Sequence, residues 1–258
     1  MTALLQLEGV TKRFGGLTAV NDVSLTVGRG EIYSLIGPNG AGKTTLFNLI
    51  SAVFRPTSGT ITFEGKNLTR APTYTLARLG IARTFQNLAV FKHETVVNNL
   101  LVGMHAHLRS DPLSAAIFWG RARNEELRAR ERVEEIIEFL EIEDIRDHTV
   151  GTLSYGLQKR VELGRALAIS PKLLLLDEMV SGMNLEERED IARFILDLKD
   201  EFGMTIFMVE HDMGIVMDIS DHVCVVNYGR KIAEGRPAEV AANPAVIEAY
   251  LGSKRAAA

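Results

Sequence analysis

Cysteine is almost absent: Cys224 is the only one in 258 residues. A chain with a single thiol cannot close an internal disulfide, so its stability must come from core packing, and a reducing compartment is expected. The setting Val223-Cys224-Val225-Val226 reads as that of a small buried apolar residue. Long apolar runs are missing as well. A membrane-spanning helix needs about 20 such residues, and Leu173 to Leu176, with Ile169 upstream, falls far short. The opening Met1 to Glu8 has no basic stretch and carries an acid too early for a secretory signal. Neither sign of charge dominates. Lys and Arg number 29 against 33 Asp and Glu, a formal net charge of -4, which argues against a surface built for nucleic acid. There is no internal repeat and no low-complexity tract beyond Ala256-Ala257-Ala258. The expectation is a soluble cytoplasmic chain, attached to a membrane only through a partner. Its length suffices for one large α/β domain or a domain with a subdomain.

What the sequence does contain is Gly37-Pro38-Asn39-Gly40-Ala41-Gly42-Lys43-Thr44. It follows the short apolar run Ile32 to Ile36 and precedes Thr45-Leu46-Phe47-Asn48-Leu49-Ile50, which reads as a helix. In that strand-turn-helix context the spacing G-x-x-x-x-G-K-T describes a phosphate cradle. Glycines let the backbone wrap until several N–H groups aim at one point, and the helix starting at Lys43 adds its positive end there. Lys43 would reach the β- and γ-phosphates and the Thr44 hydroxyl would ligate Mg²⁺. The pattern predicts binding of a nucleoside triphosphate.

Around this loop, Leu4 to Val10 and Val23 to Val27 alternate as strands, and Gly59 to Phe63 reads as a third. Together they suggest a small antiparallel sheet beside a parallel core. Phe14, before Gly15-Gly16, can stack on a base or close a hairpin; position alone leaves both open. Thr95 to Val102 looks helical with Thr95 as cap, and residues 105–120 are irregular. His105 and His107 there do not share a helix face and have no partner spaced for a metal, so they read as structural. Asn124 to Leu140 forms a long helix with Val133, Ile136, Ile137 and Leu140 on one face and an Arg/Glu mixture on the other. Leu173 to Leu176 is a strand buried on both faces. Leu185 to Phe202 is a helix with Ile191, Phe194, Ile195, Leu198 and Phe202 on one stripe. Thr205 to Val209 is another buried strand, and Val223 to Asn227 with Lys231 to Glu234 makes a hairpin. Strands alternating with helices imply a parallel sheet with right-handed crossovers.

Further chemistry sits at the ends of these strands. Asp177 can hold Mg²⁺, and Glu178, one residue on, points the other way and can accept a proton from attacking water. His211 lies just past Thr205 to Val209, where it can hydrogen-bond a γ-phosphate or simply stand at a capped helix start. Gln86 follows the strand-like Ile81 to Phe85 and could bridge Mg²⁺ to the helical segment. Ser154 opens a helix as its cap, and that helix start offers a second anion site.

The order of these pieces resembles the nucleotide-binding subunit of an ABC transporter, from about Leu5 to Leu251. Phe14-Gly15-Gly16-Leu17-Thr18-Ala19-Val20, Arg83-Thr84-Phe85-Gln86, Glu210-His211-Asp212-Met213 and Asn243 to Leu251 resemble the ATPase subunits of branched-chain amino-acid importers. The resemblance implies an α/β fold: a P-loop NTPase core with a mostly parallel sheet, a small antiparallel β subdomain and an inserted helical subdomain. Residues 1–86 and 152–258 would form the core and β subdomain, and about 87–151 the helical part. It implies a nucleotide-sandwich dimer in which Ser154, Tyr155 and Gly156 of one subunit face the phosphate loop of another. Phe14 would stack on adenine, with Val20 beside it. Residues Gly37 to Thr45 would hold the phosphates. Thr44, Gln86 and Asp177 would hold Mg²⁺, and Glu178, Gln86 and His211 would act in hydrolysis. ATP and Mg²⁺ are the expected substrate and cofactor. Transmembrane permease subunits and a second ATPase subunit, the same or a related chain, are the expected partners. A periplasmic solute-binding protein would act indirectly, and nucleic acid is not expected. The place implied is the inner face of the cell membrane.

Four positions depart from the common pattern. Tyr155 stands for Gly, Leu157 for the signature glutamine, Met179 for the Pro after the catalytic Glu, and Met183 for Leu. Two other classes share these pieces: the ATPase of a lipid or lipopolysaccharide exporter, and a soluble ABC ATPase acting on nucleic acid or ribosomes. The 105–120 insertion and Arg83-Thr84-Phe85-Gln86 favour the importer.

Overall fold

The computed structural model describes residues 3–84, 88–104 and 121–255. Among them the strands form two sheets. The first is antiparallel: β1 (Ala3–Phe14) and β2 (Leu17–Gly28) make a long hairpin, and β4 (Ser58–Phe63) and the short β5 (Lys66–Asn67) extend it in the order β2-β1-β4-β5. The hairpin runs further than alternation alone suggested, because Gly15-Gly16 lets Phe14 pair directly with Leu17 at its tip. Phe14 therefore does close a hairpin.

The second sheet contains β3 (Ile32–Ile36), β6 (Ile81–Arg83), β7 (Leu173–Asp177), β8 (Thr205–Val209), β9 (His222–Asn227) and β10 (Arg230–Gly235), in the order β10-β9-β3-β8-β7-β6. Strands β9 to β6 in that order are parallel, and β10 returns antiparallel on β9. Every residue of β3, β7 and β8 is buried, which is why these strands read as continuous apolar runs. Their alternate residues divide between two cores. Ile32, Leu174, Leu176, Ile206 and Met208 face one, while Tyr33, Leu35, Leu173, Leu175 and Phe207 face the other.

The helices are α1 (Lys43–Ile50), α2 (Leu76–Leu79), α3 (Val96–Met104), α4 (Arg121–Phe139), α5 (Tyr155–Leu167), α6 (Leu185–Asp200), α7 (Met213–Ile219), α8 (Pro237–Ala241) and α9 (Pro244–Arg255). The core of Tyr33 and Phe207 holds Leu46, Phe47, Leu49 and Ile50 of α1 against the hairpin; that of Ile32 and Ile206 gathers α3 to α6 on the opposite face. Val133, Ile136 and Ile137 of α4 are buried there together with Leu140, which follows the helix. The polar face of α4 carries the Arg130–Glu126 pair at i,i+4 and the Arg132–Glu135 pair at i,i+3. Thr95 caps α3 by accepting the Asn98 N–H at 3.2 Å. Helix α6 ends at Asp200, so Phe202 leaves the expected stripe: it is 54% exposed and meets Phe139 edge-on. The turn at Gly203 reverses the chain before the stripe completes another winding. Phe85, Gln86 and the irregular segment with His105, His107 and Trp119 lie outside the described residues.

Candidate functional site

In a parallel sheet, ligands gather at the carboxyl ends of the strands. Here register puts Leu35, Val209 and Asp177 in one row across β3, β8 and β7. The phosphate loop, the Asp177-Glu178 pair and the Glu210-His211 pair therefore leave the sheet side by side.

The loop is held by backbone. Gly37 and Gly42 have φ of +156° and +100°, and a Cβ at these positions would lie 2.1 Å from the Val226 carbonyl oxygen and 2.5 Å from that of Ala19. Ala41 N–H donates to Pro38 O at 3.1 Å, and Gly229 N–H donates to Ala41 O at 2.9 Å. Helix α1 starts at Lys43 with no side-chain cap and no acid in its first turn, so its leading N–H groups stay available to an anion. Lys43 is folded over the loop, its Nζ donating to Gly37 O at 2.7 Å and Pro38 O at 3.2 Å. Burial lowers its pKa, and nearby Glu178 pulls the other way. Thr44 is exposed beside it, while Pro38, Asn39, Gly40 and Thr45 complete the rim.

Asp177 ends β7 almost fully buried. Its N–H donates to Thr84 Oγ1 at 3.3 Å, and Arg83 Nη2 donates to its Oδ2 at 3.2 Å. Burial raises the Asp177 pKa against the pull of Arg83 and Lys159. Arg83 is itself braced by Asn48 Oδ1 at 2.8 Å and Ser51 Oγ at 2.7 Å, and it stacks over Phe47. The chain then turns sharply. Glu178 sits in the left-handed region at φ +48°, and its N–H donates to Val209 O at 2.9 Å. His211 is exposed at the end of β8, and Asp212 caps α7 through the Gly214 and Ile215 N–H groups at 3.0 and 3.3 Å. The capped helix start with a surface histidine is present, and it stands at the edge where ligands collect.

A family model described as ABC transporter matches residues 20–181. The chain belongs to the ABC transporter family. A second model, described as branched-chain amino acid ATP-binding cassette transporter, matches residues 230–256. The chain is 42% identical over 249 residues to the high-affinity branched-chain amino acid transport ATP-binding protein BraF of Pseudomonas aeruginosa, covering 96% of this chain and 98% of that one. It is 41% identical to LivG of Salmonella typhimurium over the same shares, and 37% identical to the probable LivG of Methanocaldococcus jannaschii over 96% and 97%. Among solved structures, the ADP conformation of an ATP-binding cassette from an ABC transporter superposes with TM-score 0.85 at 36% identity, covering 98% of this chain and 100% of that one. A nucleotide-free cassette gives 0.84 at 36% identity, over 96% and 99%. As an ABC transporter cassette, the chain binds ATP and couples its hydrolysis to transport.

Within this cassette, Phe14 is 42% exposed at the hairpin tip, edge-on to Phe54 and under Lys12 Nζ. Ala19, which abuts Gly42, lies two residues beyond its partner Leu17. Val20 is 1% exposed, its side chain drawn into the hydrophobic core of the hairpin, so it does not reach the surface. Ser154 caps α5 by accepting the Leu157 N–H at 3.3 Å, and Tyr155 is 41% exposed. These two lie at the start of a helix packed beside Gly182 and Glu187. Gln86 lies outside the described residues.

Sequence reasoning quoted Arg83 and Glu210 only within family-like stretches and gave them no role, and it did not single out the fully buried Lys159–Glu162 pair at 3.2 Å. An arginine at the end of an apolar strand and a glutamate ending another were the available signals.

Proposed function

We propose that this chain is the ATPase subunit of an importer of branched-chain amino acids or a related small polar solute. The observation that carries the nucleotide chemistry is the row of three strand ends bearing Lys43, Glu178 and His211. Identity of 40 to 42% to branched-chain transport proteins over nearly the whole chain supports the solute class.

In this reading, the N–H groups of Gly40, Gly42 and Lys43 and the Lys43 ammonium hold the phosphates, and Phe14 stacks on adenine. Thr44 and Asp177, with Gln86, hold Mg²⁺. A hydroxyl and a carboxylate are hard oxygen donors of the kind this ion takes alongside phosphate. The fit has an observation behind it: Asp177 is a buried carboxyl with a raised pKa, a state that a divalent cation would return to the charged form. When bound, the ion neutralises charge developing on the phosphates. Glu178 accepts the proton of attacking water, and His211 hydrogen-bonds the γ-phosphate. Ser154, Tyr155 and Gly156 belong to the site of a second subunit, where the Ser154-capped start of α5 offers its N–H groups to the γ-phosphate. Two subunits would thus enclose ATP and separate after hydrolysis.

Residues about 87–151 act as the helical subdomain that meets the permease, and residues 1–86 and 152–258 as the core with its β subdomain. Among the described residues no helix is long and apolar enough to cross a membrane. The chain works at the cytoplasmic face through its permease subunits, with a periplasmic binding protein delivering solute. The experiment is to isolate the tagged protein from native membranes and identify its companions. A permease pair and a solute-binding protein are expected; lipopolysaccharide-export components instead would overturn the import assignment.

A further inference from the structure

Glu210 is 3% exposed, between the strand β8 that precedes it and the exposed His211 that follows. Its Oε1 accepts the Val180 N–H at 3.2 Å. Its Oε2 is buried with no hydrogen-bond partner among the described residues, although the Met179 and His211 N–H groups also face the carboxyl. A half-satisfied buried carboxyl is an expensive way to pin a turn, and such groups persist where the surrounding structure needs their position. What this one pins is specific. Met179 and Val180 directly follow Glu178, which holds a left-handed φ of +48° that a glutamate adopts only under constraint. The Glu178 N–H already donates to Val209 O at 2.9 Å. Residues Val209 and Glu210 of one segment therefore clasp three successive residues of the other.

We infer that Glu210 is a positioning residue that ties the Glu178 turn to His211, so that the two groups keep one geometry across the γ-phosphate position. The inference rests on the roles proposed above for Glu178 and His211. Glu210 is buried and acts through the backbone of the turn it holds. It sets where the Glu178 carboxylate stands, and a displacement of His211 is passed to Glu178 through the Val180 N–H. Misplacing a reacting group by about 1 Å can lower a rate on the order of 100-fold.

The test separates reach from charge. Glu210→Gln keeps the side-chain length and an oxygen for the Val180 N–H, whereas Glu210→Asp keeps the charge but is one methylene short. ATPase assays on the chain assembled with its membrane subunits, together with ATP affinity and melting temperature, should give a clear split. Glu210→Asp should lose at least about tenfold in kcat with KM and ATP affinity within about twofold, and Glu210→Gln should stay within about threefold of the parent. Normal turnover in Glu210→Asp, equal losses in both variants, or a KM that rises as kcat falls would overturn the inference. A Glu178→Gln control keeps the two questions apart. If that control hydrolyses ATP normally, the proposed site fails; if it is inactive while Glu210→Asp is normal, only the role of Glu210 fails.

Discussion

Glu187 occupies the space into which a side chain on Gly156 would grow: a Cβ there would lie 2.3 Å from Glu187 Oε1. Glu187 is also half of the capping box of α6. Its Oε2 accepts the Asn184 N–H at 3.1 Å while its own N–H donates to Asn184 Oδ1 at 2.9 Å. Gly156 thus joins the start of α5 to the start of α6.

Replacing Gly156 by Ala should push the Glu187 carboxylate aside and break only the bond to the Asn184 N–H. The cost should be about 1 kcal/mol of stability, in the range of a lost helix cap. Denaturant unfolding of the single and double variants checks this. In a Glu187→Ala background the Gly156→Ala change should cost clearly less, and a loss above about 3 kcal/mol would point to moved backbone instead.

The phosphate loop should respond differently, because its neighbours are carbonyls that cannot swing away. Gly42→Ala meets Ala19 O at 2.5 Å and also demands φ +100°, so ATP affinity should fall by at least about 100-fold. Gly40→Ala has open space around it and φ +78°, leaving only the strain of about 1 kcal/mol. Titration calorimetry with ATP should rank the two in that order; equal losses would refute the steric account.

Glu178→Gln should abolish steady-state hydrolysis while ATP still binds, and it should accumulate a dimer on addition of ATP. Lys43→Ala should weaken ATP binding itself. Gel filtration and nucleotide titration distinguish these outcomes, and unchanged turnover in Glu178→Gln would remove it from the chemistry.

Burial pushes the Glu210 carboxyl up to about 7 from an ordinary value of 4.5. The folded chain then holds a proton that the unfolded chain has released, so this group lowers stability as pH rises from about 4.5 to 7. The full effect is on the order of 3 kcal/mol, by about 1.4 kcal/mol per pKa unit. Glu210→Gln lacks that titration, so its melting temperature relative to the parent should be higher at pH 8 than at pH 5. A difference independent of pH would contradict the burial account.

Much of this arrangement was legible in the residues. The loop Gly37 to Thr44 and the run Leu173 to Asp177 announce themselves locally, since one needs glycines at fixed offsets and the other needs apolar side chains on both faces. Ser154 and Asp212 cap helices through partners two or three residues away. The contacts that shape the site were not legible in that way. Arg83 finds Asp177 across 94 residues, and Glu210 finds Val180 across 30. No local pattern records such a meeting; it exists only once the strands are in register. The burial of Val20 was likewise not legible locally: alternation along β2 turns it inward while its neighbour Ala19 lends a carbonyl to the loop.

The carbonyls of Ala19 and Val226 pinch the glycine loop from opposite strands, and Lys43 is already laid across it. Little conformational freedom is left for an incoming nucleotide to quench. Affinity need not be spent on ordering the receptor, so in the sandwich proposed above a larger part of it would remain for drawing a second subunit onto the bound triphosphate. In that proposed assembly a stiff cradle of this kind would turn the arrival of ATP into a force between subunits and so into movement of whatever they are attached to.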